Sequence, residues 1–130
     1  MELVQAVESL IDEGLMPEVV PEDGRYSFEV DASILVELFQ AQGAAVVSVS
    51  IAHMAQIERS LAQTLERWLG LSLANMATKE SVLSCSDASG LVTLHRVLNL
   101  GVEQAEGLLA AMEELLSEVE EYRALLEASE

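Results

Sequence analysis

Apolar residues recur along this chain first at helical spacing and then at strand spacing. Leu3, Val4, Val7, Leu10 and Ile11 form one stripe, with Glu2, Glu8 and Asp12 off it. That predicts an amphipathic helix. Gly14 follows its last turn, where a C-cap glycine ends a helix. Pro17 and Pro21 then bracket a short acidic loop containing Glu22, Asp23 and Gly24. Beyond the loop the period changes to two. Tyr26, Phe28 and Val30 alternate with Ser27 and Glu29, which reads as a strand. Asp31-Ala32-Ser33 is a turn, and Ile34, Val36 and Leu38 then alternate with Leu35, Glu37 and Phe39. Both faces of that second strand are mostly apolar, so both are expected to be covered. Gln42-Gly43 turns the chain again, and Val47, Val49 and Ile51 mark a third strand. Three strands joined by short turns predict an antiparallel meander.

A second helix follows. Ile57, Leu61, Leu65 and Trp68 make its apolar stripe, Glu58, Arg59, Glu66 and Arg67 lie outside it, and Gly70 marks a break beyond which Leu71 to Met76 either stop or continue. Residues 81–86 read as a strand and Asp87-Ala88-Ser89-Gly90 as a turn. Leu91 to Leu98 form a last strand, with Val92, Leu94 and Leu98 on one face, interrupted by Arg96, and Leu91, Thr93, His95 and Val97 on the other. The closing helix runs from about Val102 to Ala128. Its predicted buried side is Ala105, Leu109, Met112, Leu116, Val119 and Leu126, and Glu103, Glu106, Glu113, Glu114, Glu118, Glu120 and Glu121 crowd the rest. The order α-βββ-α-ββ-α predicts an α+β fold over residues 1–130, a single domain with one mostly antiparallel sheet flanked by helices.

Composition narrows the function. The chain has 130 residues, 51% of them hydrophobic, and 23 acidic against 6 basic side chains, a formal net charge of -17. A disordered chain carries such a charge without this apolar content, so the charge belongs on a folded surface. It repels nucleic-acid phosphates and anionic lipid, and it attracts a basic partner. No basic leader is visible at the N-terminus, and no apolar run reaches the roughly 20 residues of a membrane span, so no membrane insertion is expected.

Catalytic chemistry is hard to find. There is no HExxH, CxxC, EF-hand loop or glycine-rich phosphate loop. His53 and His95 stand far apart and outside any metal-ligand spacing, so His53 reads as flanking the second helix and His95 as a strand-face residue. The single cysteine, Cys85, lies in a predicted strand between Ser84 and Ser86 and reads as a buried, inert thiol. Lone cysteine usage favours a reducing cytoplasm. The expectation is a protein that is no enzyme and needs no metal or other cofactor. Its apolar strand faces call for cover, which a second subunit, a bound segment or the three helices themselves would provide. Trp68 suits either the core or a two-fold interface.

Three stretches carry a family resemblance. SLAQTLERWLG resembles the second helix of the class I type III secretion chaperones, the small acidic effector chaperones of Gram-negative bacteria. SVLSCSDASGLVTLHRVLNL resembles their last hairpin, and LLAAMEELLSEVEEYRALLE their closing acidic helix, with Tyr122-Arg123 near its end. The first helix and the meander fit in place. The chain departs from the family's leucine-rich second helix at Gln63, Thr64 and Ser72.

The resemblance implies a cytoplasmic homodimer that binds the unfolded N-terminal segment of a secreted effector, keeps it non-globular and aids its delivery for export. It also admits a regulatory module on the same fold, whose ligand is another regulator of secretion. By position it implies effector contacts at Leu3, Val7, Leu10, Leu35, Phe39 and Val47, and dimer contacts at Leu61, Leu65 and Trp68. Glu113, Glu120 and Glu121 would be surface charge facing basic residues of the client.

Overall fold

A computed structural model describes residues 2–31, 33–55, 61–75, 80–85 and 89–128. The predicted Ile57, Glu58, Arg59, Met76, Ser86, Asp87 and Ala88 lie outside the described residues, as do the side chains of Leu61 and Leu126. The elements follow the predicted order: α1 (Leu3–Asp12), β1 (Tyr26–Val30), β2 (Ile34–Ala41), β3 (Ala44–His53), α2 (Leu61–Asn75), β4 (Val82–Cys85), β5 (Leu91–Leu98) and α3 (Leu100–Ala128). The five strands form one antiparallel sheet in the order β1-β2-β3-β5-β4, so β1 and β4 are its edges.

Local chemistry explains the boundaries. The Gln5 side chain accepts a hydrogen bond from the Glu2 amide at 2.9 Å and closes the first turn of α1. At the other end Gly14 takes φ +73°, and the Leu15 amide donates back to the Leu10 carbonyl at 2.9 Å. This is the left-handed ending that glycine permits. Gln42 and Gly43 both have positive φ, the type I′ geometry whose twist matches a two-residue hairpin between β2 and β3. Gly70 does not break α2, which continues through it to Asn75.

One face of the sheet carries the core. Tyr26, Ile34, Val36, Leu38, Val47, Val49, Val92, Leu94 and Leu98 point into it and meet Leu3, Val7 and Leu10 of α1 and Leu108, Leu115 and Val119 of α3. A register shift between Ser50 and Ala52 of β3 breaks the alternation, so that Ile51 and Ala52 are both buried. Arg123 closes the far end of α3 onto the sheet by donating to the Ile51 carbonyl at 2.9 Å and to Ser33 Oγ and the Ser33 carbonyl at 3.0 and 3.2 Å. The interruption at Arg96 is resolved by carboxylates of α3 and of the segment before β4. Its guanidinium reaches Glu80 at 3.3 Å and Glu103 at 3.7 Å and also pairs with Glu114.

Three expectations change. Among the described residues no helix lies over the second face of β2: Leu35 and Phe39 are half-buried on an outer sheet surface. Cys85 is exposed, because β4 is an edge strand and the residue lies at its end, with Sγ 3.2 Å from Met54 Sδ. Glu118 is buried beneath the helix surface and accepts a hydrogen bond from Ser81 Oγ at 2.6 Å, the partner that a buried carboxylate requires.

Trp68 joins α2 to α3. It is fully buried, its indole N–H donates to the Tyr122 carbonyl at 2.8 Å, and its ring meets Tyr122 edge-on with centroids 6.1 Å apart. Burial is the main reason that the Tyr122 phenol lies above its ordinary pKa of 10.0, with Glu118 and Glu121 adding to the shift. Ser72 and Asn75 oppose the shift, although the hydroxyl has no hydrogen bond of full geometry. The unfolded chain releases this proton from about pH 10 upward while the folded chain still holds it. The contribution of this group to stability is therefore constant below about pH 10 and is lost as pH rises through the folded value. Tyr122→Phe is expected to move the alkaline unfolding midpoint upward and to leave stability near pH 7 little changed. Denaturation curves at neutral and alkaline pH check both.

Candidate functional site

The β1 edge is where the fold leaves polypeptide-binding chemistry open. Among the described strands none pairs with its outer side. An unpaired edge presents a row of backbone donors and acceptors to any extended chain. Tyr26, Phe28 and Val30 of β1 face the helices, and Ser27 and Glu29 face the opposite side and are exposed.

Beside this edge lies an apolar groove. Its walls are Phe28, Val30 and Val36 from the sheet, Leu109, Met112, Glu113 and Leu116 from α3, and Leu15, Met16 and Pro17 from the segment after α1, around a volume of 190 Å³. The cause is local. The left-handed ending at Gly14 turns the chain so that Leu15 and Met16 line the same groove as Phe28, and Pro17 prevents any continuation of the helix. On α3 the deeply buried stripe is Leu108, Ala111, Met112, Leu115, Val119 and Tyr122, which leaves Leu109 and Leu116 half-buried at the groove. Leu15 remains 51% exposed.

A second open surface is the outer sheet face. Phe39, Val46, Ser48, Leu91, Thr93, His95 and Val97, with Arg25, Glu37, Ser84 and Ser89, line a shallow concavity of 520 Å³. The Arg25 guanidinium lies 4.1 Å from the Phe39 ring centroid and 3.7 Å from Glu37. Ser84 Oγ lies 3.0 Å from Thr93 Oγ1 and 3.4 Å from His95 Nδ1. A third open surface is on α2, where Leu69 and Leu73 are 55% and 69% exposed.

The candidates from the sequence are distributed unevenly over these surfaces. Leu3, Val7 and Leu10 are buried under α3, and Val47 is fully buried on the core face of β3, so these four have no free surface in the single chain. Leu35 and Phe39 lie on the outer sheet face. Trp68 faces α3, Leu65 is half-buried against the core, and only the backbone of Leu61 is described. The sequence reading missed Leu15, Met16, Phe28 and Leu116 as one site, and Leu69 and Leu73 as another. The signal for the second was present: Leu65, Leu69 and Leu73 form an i, i+4, i+8 row of their own. Among the described residues no group of carboxylate, imidazole or thiol side chains is arranged to hold a metal ion, and no helix is long and apolar enough to cross a membrane.

A family model, that of the Tir chaperone protein (CesT) family, matches residues 6–123. No curated protein matches the sequence. Among solved structures, the chain is similar to one in the crystal structure of the ExsC-ExsE complex, with TM-score 0.65, 20% identity and 97% of each chain covered. It is also similar to one in the structure of the HopA1-SchA chaperone-effector complex, with TM-score 0.69, 16% identity, and 95% of this chain and 98% of that one covered. At these identities the two structures show a shared fold.

Proposed function

The chain belongs to the Tir chaperone protein (CesT) family, and from that premise we propose that it is a cytoplasmic type III secretion chaperone that receives an extended effector segment along β1. The observation that carries this reading is the pairing of a free strand edge with an apolar groove directly beside it. An added strand obtains affinity from main-chain hydrogen bonds and selectivity from pockets for alternate side chains. Both parts are present here. A segment held extended on the edge stays non-globular, which suits delivery to a secretion apparatus. One of the two solved relatives is itself described as a chaperone-effector complex.

The effector contacts of this reading are Phe28, Val30, Leu109, Met112 and Leu116, with Leu15 and Met16. Leu35 and Phe39 belong to the separate outer face. Leu3, Val7, Leu10 and Val47 belong to the buried core. The experiment is amide hydrogen exchange on the chain co-purified with its effector from the native cell. Residues Tyr26–Val30 and one N-terminal stretch of the effector are expected to gain protection together. Binding without new protection in β1 would sink the strand-addition reading, and a bound partner whose segment is already globular would sink the chaperone role.

We also place a homodimer contact on the open face of α2, carried by Leu69 and Leu73, whose exposure on one helix side a twin copy would relieve. Leu69→Asp with Leu73→Asp is expected to give monomer mass in light scattering at micromolar concentration with helix content unchanged. Unaltered mass would place the contact elsewhere.

A further inference from the structure

Resting on the proposed effector groove, we infer that the segment it selects alternates apolar and basic residues, with a lysine or arginine opposite Glu29 between two apolar side chains that enter the groove. The register follows from the pleat. A strand laid against β1 turns every second side chain toward the helices, beside Phe28 and Val30, and the residue between them to the other face, beside Glu29. Directly opposed side chains on neighbouring strands stand about 4.5–5.5 Å apart, close enough for opposite charges to attract and like charges to repel.

The charged side chains on β1 and in the groove wall are acidic. Glu29 is exposed on the edge strand, and Glu113 is the charged side chain among those lining the groove. The nearest cation on β1's approach, Arg25, is already engaged by Glu37 and by the Phe39 ring. Arg96 and Arg123 are held by α3 carboxylates and by the Ile51 and Ser33 backbone respectively. The pocket itself sets shape loosely. Met16 and Met112 contribute flexible thioethers that repack around branched or aromatic side chains. Selectivity between clients of similar apolar content therefore falls to the outward position, where a carboxylate meets Glu29 unfavourably and a basic group meets it favourably.

The test uses the full chain and three short fluorescent peptides that alternate Leu with Lys, Leu with Ser, or Leu with Glu, titrated by anisotropy at low and high salt. The Leu/Lys peptide is expected to bind roughly two- to five-fold tighter than Leu/Ser at low salt, with Leu/Glu weakest. Glu29→Lys is expected to abolish or reverse that order. Glu66→Lys makes the same change in net charge on exposed α2, by the opposite edge of the sheet, and is expected to keep it. Equal loss of preference in both variants would mean general attraction to an acidic protein and would overturn the inference. If all three peptides bind alike, yet all are lost with Leu109→Asp and Leu116→Asp, the charge rule falls and the groove stands. If peptide binding ignores those leucine substitutions, the groove itself is wrong and the inference falls with it.

Discussion

Trp68→Ala is expected to destabilise the chain by about 3–5 kcal/mol, the usual range for truncating a large buried aromatic residue. The side chain is fully buried, and its removal leaves a cavity where α2 meets α3. The Tyr122 carbonyl also loses the indole N–H that it accepts. A domain of this size is stable by about 5–15 kcal/mol in total, so the substitution removes a large fraction of the margin. Urea denaturation measures it directly. Trp68→Phe separates the two contributions, because it keeps most of the ring and loses the hydrogen bond, for which about 1 kcal/mol is expected beyond the packing change. A loss below about 1.5 kcal/mol for the alanine variant would contradict the core position of Trp68 and restore it as an interface residue. The outcome matters for function because α2 also carries Leu69 and Leu73, and a helix released from α3 no longer presents them in a fixed place.

Leu109→Asp combined with Leu116→Asp is expected to weaken effector binding by at least about 100-fold while the chain still unfolds cooperatively. Both leucines line the groove and both are half-buried, so the free chain has water available to the new carboxylates. A bound segment removes that water. Each leucine contributes about 1 kcal/mol or more when an apolar partner completes its burial, and each carboxylate sealed under that partner without a counter-charge adds a desolvation penalty. Together these exceed the roughly 2.7 kcal/mol that separates two binding constants by 100-fold. Affinity measured by calorimetry with the co-purified effector segment, beside a melting curve of the variant alone, checks the prediction. A binding loss under ten-fold with an intact melt would move the client off this groove. The penalty falls on the bound state, so Val82→Asp, on the opposite edge strand β4, is expected to bind normally.

The two sites differ in how far the sequence could reveal them. Leu108-Leu109 and Leu115-Leu116 are adjacent pairs along α3. Neighbours on a helix point about 100° apart, and both members of each pair suit an apolar stripe. The sequence reading took Leu109 and Leu116 as core, whereas the packed helix turns Leu108 and Leu115 inward and leaves the other two at the groove. The same ambiguity separates Trp68 from Leu69. Cys85 and Glu118 misled for a related reason: residue type sets average burial, and strand position or a single partner such as Ser81 overrides it.

What the sequence by itself determined is the order of elements, the turns at Gly14 and Gln42-Gly43, the acidic surface and the family, because these depend on local periodicity and on backbone conformations that a few residues dictate. Tertiary packing alone decided that β5 lies between β3 and β4, that among the described residues no helix covers the outer sheet face, and that Leu15 and Met16 line one groove with Phe28 and Leu116. These placements join residues up to about a hundred positions apart, as with Leu15 and Leu116. Their formation depends on how α3 rotates about its own axis and where it settles on the sheet. A one-dimensional pattern leaves that rotation uncertain by about the angle between adjacent leucines, which is the difference between a core position and a groove.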